Sequence, residues 1–307
     1  MRPRCLMLGG LGFLGSAVGR ELIGRGYPVR IYDQGDFQPQ RHAGLEPAEL
    51  IKGDFLDSET LAPALADCDY VFHLVGTTLP RSAADNPTYD LETNVLGTLR
   101  LLELLRHQPP RRLLFSSSGG TVYGSAQILP IPEHHPTEPR TPYGVTKLMV
   151  EKYLKVYQYL HGIPFRVYRF SNPYGPGQRQ REQGVITTFL RRMRDRQTLQ
   201  IWGDGSVVRD YLYSEDLARA VADSFELPAA QDAFNCGSGQ GVSLRELVAL
   251  MEMVTGRTPK VEFSPGRPID VPANVLDITA LTNLCSWTPT VSLPEGIQRT
   301  WQAVLGE

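Results

Sequence analysis

The run Cys5-Leu6-Met7-Leu8-Gly9-Gly10-Leu11-Gly12-Phe13-Leu14-Gly15 decides the fold. Four apolar residues read as a short buried strand, and glycines follow without a break. They satisfy Gly-x-Gly-x-x-Gly through Gly10, Gly12 and Gly15, and Gly-x-x-Gly-x-x-Gly through Gly9, Gly12 and Gly15. Glycines at this spacing permit a tight turn and a close backbone approach, so that a pyrophosphate can rest on the N-terminus of the next helix. The pattern predicts that helix over residues 16–25, then a strand over residues 29–32 ending in Asp33, eighteen residues after Gly15. A carboxylate there accepts from a ribose 2′-OH and repels a 2′-phosphate, which selects NAD over NADP. The expected cofactor contacts in this half are Gly9, Gly12, Phe13, Leu14, Gly15 and Asp33.

The alternation continues. Residues 50–55 read as a third strand, with Asp54 and Phe55 at its end where an adenine edge is read. Residues 70–76 read as a fourth, bringing Leu74, Val75 and Gly76 to the same rim. A helix over residues 94–107 begins at Asn94, a fifth strand over residues 112–115 delivers Ser116, Ser117 and Ser118, and residues 166–170 form a sixth. Strands alternating with helices mean an α/β fold, a doubly wound parallel Rossmann sheet with its site at the strand C-termini. His73 falls in an apolar strand and reads as a core imidazole.

The 307 residues suffice for one large domain or two lobes sharing a core. Hydrophobic content of 41% and charged content of 21% are ordinary for a globular protein, and a net charge of −2 argues against nucleic-acid binding. Cys5, Cys68, Cys236 and Cys285 are dispersed, which suggests neither a zinc site nor a disulfide framework and fits a reducing cytoplasm. No run reaches membrane-spanning length. The adjacent His134 and His135 lack spaced partners, so no metal is expected.

Tyr143 and Lys147 are four apart, on one face of a helix whose first turn carries Pro142. An ammonium beside a phenol favours phenolate, so the pair can move a proton near neutral pH. Thirteen tyrosines and five lysines make about 0.2 such pairs by chance, so the context has to carry the assignment.

Beyond Asn172-Pro173-Tyr174-Gly175 the chain turns Arg- and Gln-rich, then runs through Trp202-Gly203-Asp204-Gly205, Val208-Arg209-Asp210-Tyr211 and Arg267-Pro268-Ile269-Asp270-Val271-Pro272. With the glycine loop, Asp33, Asp54, Asn94-Val95-Leu96-Gly97-Thr98, the serine run, Thr121-Val122-Tyr123-Gly124, Tyr143 and Lys147, the sequence resembles the extended short-chain dehydrogenase/reductase family. Within that family it is similar to the nucleotide-sugar epimerases of the UDP-glucose 4-epimerase type. The resemblance implies an NAD-binding domain of residues 1–171 and 210–236, and a smaller α/β lobe of residues 172–209 and 237–307 that binds a UDP-sugar. Catalysis would fall to Tyr143, Lys147 and a serine, with Ser116 at the cofactor. Substrate contacts would be Asn172, Trp202, Arg209, Arg267 and Asn274. Helices 94–107 and 143–161 would pair across a homodimer.

Two departures matter. Such enzymes carry a Ser or Thr three residues before the Val of Val122-Tyr123-Gly124, and that position is Gly119. Counting back from Tyr143 selects Ser118 instead, with Ser117 and Thr121 in reserve. Gly119-Gly120-Thr121 also offers no acid of the kind that dehydratases and decarboxylases of the family place there. That favours epimerisation over a dehydratase or reductase, while Gly119 keeps a non-catalytic NAD-binding protein as a further reading. Finally, Asn274 stands where the family's gate beside the sugar C2 substituent is aromatic, so N-acetylated sugars are expected to enter.

Overall fold

The computed structural model describes residues 2–178, 184–267 and 269–307. It begins with β1 (Cys5–Leu8), α1 (Phe13–Gly24), β2 (Val29–Asp33), β3 (Glu49–Lys52), α2 (Ser58–Leu65) and β4 (Tyr70–His73). Next come α3 (Pro80–Asp85), α4 (Pro87–Asp90), a π-helical turn (Leu91–Leu96), α5 (Gly97–His107), β5 (Arg112–Ser118), α6 (Pro142–His161) and β6 (Phe165–Phe170). The chain continues through β7 (Asn172–Tyr174), α7 (Val185–Arg194), β8 (Leu199–Trp202), β9 (Val208–Tyr213), α8 (Ser214–Ser224) and β10 (Ala233–Cys236). It ends with β11 (Gly241–Ser243), α9 (Leu244–Thr255), β12 (Val261–Ser264), β13 (Ala273–Asn274), α10 (Thr279–Cys285) and α11 (Leu293–Leu305).

Seven strands form one sheet in the order β10-β6-β5-β4-β1-β2-β3, every pair parallel. Parallel strands covered on both faces need continuous apolar runs, and β1 and β4 are buried at every residue. Helices α1 and α8 cover one face; α2, α5 and α6 cover the other. The strand order reverses at β1, flanked by β4 and β2, which opens a crevice beyond their C-terminal ends.

Strand β3 stops at Lys52, so Asp54 and Phe55 lie in the loop beyond it, and β4 stops at His73 ahead of Leu74. The helix expected from residue 94 becomes α only at Gly97, after the π-helical turn. The second lobe is built on β9, paired with β11, β13 and β7, with β8 and β12 as a separate ribbon. Its core gathers α7, α9 and α11 around Phe189, Leu247 and Trp301. The boundary expected at residue 210 therefore runs through a strand. Asp210, in the middle of that strand, ties it to the segment leaving β10 and to Leu276: its buried carboxylate accepts from Ser238 N–H and Oγ, each at 2.7 Å, and from the N–H groups of Gly239 and Leu276, each at 3.3 Å. Leu281 and Trp287, from the C-terminal part of the chain, pack in the core of the first lobe.

Candidate active site

The glycine loop is closed by contact. A Cβ on Gly15 would lie 2.2 Å from the Gly9 carbonyl oxygen, and Gly9 itself takes φ +77°, so α1 starts directly against the turn. Gly12 is the N-cap and no side chain caps the helix, which leaves N–H groups of Phe13 and Leu14 in the first turn for an anion. Asp33 Oδ2 accepts from Leu11 N–H and Oδ1 from Gly35 N–H, both at 2.9 Å. These bonds fix the carboxylate, and its remaining lone pairs suit a ribose diol. A Cβ on Gly9 would meet Val75 N at 3.1 Å, so the loops after β1 and β4 adjoin, with Leu74 and Val75 half-buried and Gly76 exposed at the rim. The residues fit a dinucleotide.

Asp54 is exposed and accepts from Leu56 N–H at 2.9 Å. Phe55 places its ring in the core, 4.9 Å from His73. Asn94 is buried and holds the loop past β4: its Nδ2 donates to Thr77 Oγ1 at 2.8 Å, and its Oδ1 accepts from Thr77 N–H at 3.3 Å. His73 has its Nε2 2.8 Å from Thr98 Oγ1, a hydroxyl that donates onward to Asn94 O. Thr98 therefore accepts, and the proton sits on Nε2. Burial, then Lys147, push this imidazole down to about 3, so it stays neutral.

The catalytic helix α6 is capped by Thr141, whose Oγ1 accepts from Gly144 N–H at 3.1 Å. Buried Lys147 donates from Nζ to Ser116 O at 2.9 Å, with Nζ 4.9 Å from the Phe115 ring centroid and 5.7 Å from that of Tyr143. Burial, reinforced by Asp90, pushes the Tyr143 phenol up to about 12. Burial also brings Lys147 down to about 8, against the opposing pull of Asp90 and Glu151. Desolvation and Asp90 thus outweigh the ammonium, which is directed at a carbonyl and a ring; the expectation of an acidic phenol rests on Lys147 and an oxidised nicotinamide together.

The structure also accounts for the glycine register. A Cβ at Gly119 would lie 2.6 Å from Leu276 Cδ1 and 3.0 Å from Arg169 O, so a serine there would require Leu276 to shift. Ser117 donates its hydroxyl to Glu151 inside the core and is not available. Two hydroxyls remain. Ser118 is half-buried at the end of β5, and Thr121 Oγ1 is buried without a partner. Thr121 O would lie 2.8 Å from a Cβ on Gly144, so this loop abuts the residue next to Tyr143.

On the opposite wall Asn172 donates from Nδ2 to Asp210 O at 2.9 Å. Arg209 donates to Val208 O and Val271 O, both at 2.8 Å. Arg267 forms a fork with Asp270 at 2.9 Å and lies 5.6 Å over the exposed Trp202 ring. Asn274 is fully buried, its Nδ2 bound to Gly119 O at 3.0 Å and its Oδ1 without a partner. Its amide is therefore turned to the serine loop. Arg179 and Arg181, in the Arg- and Gln-rich run, and Pro268 lie outside the described residues.

Sequence reasoning missed Asp90, Glu151 and Arg169. Glu151 follows Tyr143 and Lys147 at the same four-residue spacing, a stripe that was legible. It pairs with Arg169 at 2.6 Å in the core, and Arg169 also donates to Tyr123 Oη at 2.9 Å. Asp90 precedes Asn94 by four, a weaker signal.

Comparison with known proteins agrees with this geometry. The model of the NAD dependent epimerase/dehydratase family matches residues 5–237. UDP-glucose 4-epimerase of Mycolicibacterium smegmatis is 33% identical over 306 residues, covering 97% of each chain. The crystal structure of UDP-glucose 4-epimerase from Thermotoga maritima with UDP-glucose superposes with a TM-score of 0.92 at 33% identity, covering 99% of both chains. That of the Thermus thermophilus enzyme in complex with NAD gives 0.90 at 31%, with the same coverage. The matches also include a dTDP-4-dehydro-6-deoxyglucose reductase and an NAD dependent NDP-hexosamine 5,6-dehydratase. With a glycine loop closed on α1, an acid at the end of β2 and a Tyr-Lys pair on α6 beside the end of β5, the chain belongs to the NAD dependent epimerase/dehydratase family.

Proposed function

We propose that the protein is an NAD-dependent UDP-sugar 4-epimerase, an isomerase. The observation that carries this is half-buried Tyr143 with buried Lys147 on α6, beside a Ser118–Thr121 loop that offers hydroxyls at its ends and, with Gly119-Gly120 between them, no acid. Tyr143 takes the proton of the sugar 4-hydroxyl and later returns it, while Ser118, or Thr121 if the register differs, orients that hydroxyl. Lys147 holds the nicotinamide ribose. Bound NAD supplies the hydride acceptor and, when oxidised, a positive charge toward the ~7 kcal/mol that separates a phenol at about 12 from one titrating near neutrality. Asn172, Arg209 and Arg267 hold the diphosphate and Trp202 the uracil, so the nucleotide stays anchored while the 4-keto sugar turns. Asn274 contributes through its small size, since its donor is engaged; plain and N-acetylated UDP-hexoses are both expected as substrates.

The assembly in this reading is a cytoplasmic homodimer. Leu91, Leu96, Val145, Val156 and Leu160, exposed along the π-helical turn and α6, supply an apolar face for a second copy. Among the described residues no helix is long and apolar enough to cross a membrane.

The test is to incubate the purified protein with plain and N-acetylated UDP-hexoses without added coenzyme. An epimer of unchanged mass is expected, and Tyr143→Phe should lose about 10²–10⁴-fold or more of the rate with NAD retained. Loss of water or net NADH consumption would assign the dehydratase or reductase reading, and no change despite retained NAD the non-catalytic one.

A further inference from the structure

Asp90 is a carboxylate that no step above uses, and it is fully buried. Donors from three elements converge on it: the Thr78 hydroxyl on the loop past β4, Asn94 Nδ2 at 3.0 Å on the π-helical turn, and the Thr146 hydroxyl at 2.5 Å on α6. Thr146 lies between Tyr143 and Lys147 in the chain, so the bond grips the turn that carries both. The π-helical turn Leu91–Leu96, a departure common at functional sites, begins at the residue after Asp90.

Fastening alone does not explain the residue type. A buried carboxylate carries a desolvation cost that an asparagine of the same shape would avoid. Its field falls on two titratable groups, Tyr143 and Lys147, both on α6. The other titratable groups facing Lys147 are His73 from β4, which stays neutral, and Glu151 from its own helix, which is paired with Arg169. Asp90, which has no cationic partner of its own among the described residues, is therefore the first of the two carboxylates that balance the ammonium.

We propose that Asp90 is a positioning residue of the redox centre, a buried carboxylate that ties the Tyr143–Lys147 turn to the loop past β4 and sets its charge against that pair. The kinetic consequence rests on the epimerase reading; the electrostatic one does not.

The experiment uses NAD-loaded protein and two readouts. In the first, phenolate formation is followed by ultraviolet difference titration, subtracting Tyr143→Phe in the wild-type and Asp90→Asn backgrounds. Removing the charge should lower the Tyr143 midpoint by about one pH unit. In the second, both limbs of the kcat/KM profile for the UDP-sugar should move to lower pH in Asp90→Asn. Thr146→Val, which keeps the charge and removes one tie, should lower kcat by about tenfold with KM and the titration midpoint unchanged. An unmoved midpoint in Asp90→Asn overturns the proposal. If Asp90→Asn does not fold, Thr146→Val decides: normal kcat with only a lower Tm reduces Asp90 to a structural group. A wild type inactive on every UDP-sugar defeats the epimerase reading, and the titration still judges Asp90.

Discussion

Glu151 and Arg169 meet at 2.6 Å with 7% and 8% of their side chains exposed, whereas Arg267 and Asp270 meet at 2.9 Å with 44% and 20% exposed. The two ion pairs have the same chemistry on the two walls of the proposed site. On the first wall each charge is cut off from water, and the pair also ties β5, through Ser117, and the Tyr123 hydroxyl. On the second wall water can replace either partner, so Arg267 can exchange Asp270 for a phosphate at little cost. A reaction whose sugar turns over while the redox groups hold still asks for this asymmetry.

The largest effect should come from breaking the enclosed pair. Arg169→Met leaves Glu151 charged with only the Ser117 hydroxyl for a partner, and should destabilise the protein by about 3–5 kcal/mol in denaturant unfolding. Adding Glu151→Gln should recover much of that loss. A loss below about 1 kcal/mol would mean that water reaches the pair and that the two walls do not differ.

A pH measurement sharpens the same contrast. Lys147 titrates at about 8 in the fold against 10.5 unfolded, so between those values the unfolded chain binds more protons and stability rises with pH. Wild type should gain about 3 kcal/mol relative to Lys147→Met across that window, and below pH 8 the cost of the buried ammonium is constant. Parallel Tm curves for the two proteins from about pH 7 to 10 would show that Lys147 is hydrated.

The smallest effect is expected on the open wall. Arg267→Ala should change stability by no more than about 1 kcal/mol. It should raise KM for a UDP-sugar and leave kcat nearly unchanged, since uniform binding is what it removes. A fall in kcat with constant KM would place Arg267 in the chemistry.

Much of the first wall was legible because glycines, Asp33, Tyr143 and Lys147 carry local constraints that recur at fixed spacing. The boundaries were less so. Nothing in residues 50–55 says that β3 stops at Lys52, because an exposed edge strand has no burial pattern to end. The phenol's direction of shift was also hidden, since spacing reports the neighbouring charge but not the depth of burial. Gly119 looked like a missing catalytic residue until Leu276, distant in the chain, was seen against it. The expected split at residue 210 runs through β9 for a similar reason: the strands that hold β9, residues 241–243 and 273–274, are distant in the chain.

The bond from Asn274 Nδ2 to Gly119 O joins the two sheets, for β13 belongs to the second and Gly119 follows directly from β5 of the first. Next to it, Ile131 bridges Leu276 in parallel. A jaw-like opening of the lobes would tug on the strand end that carries Ser118.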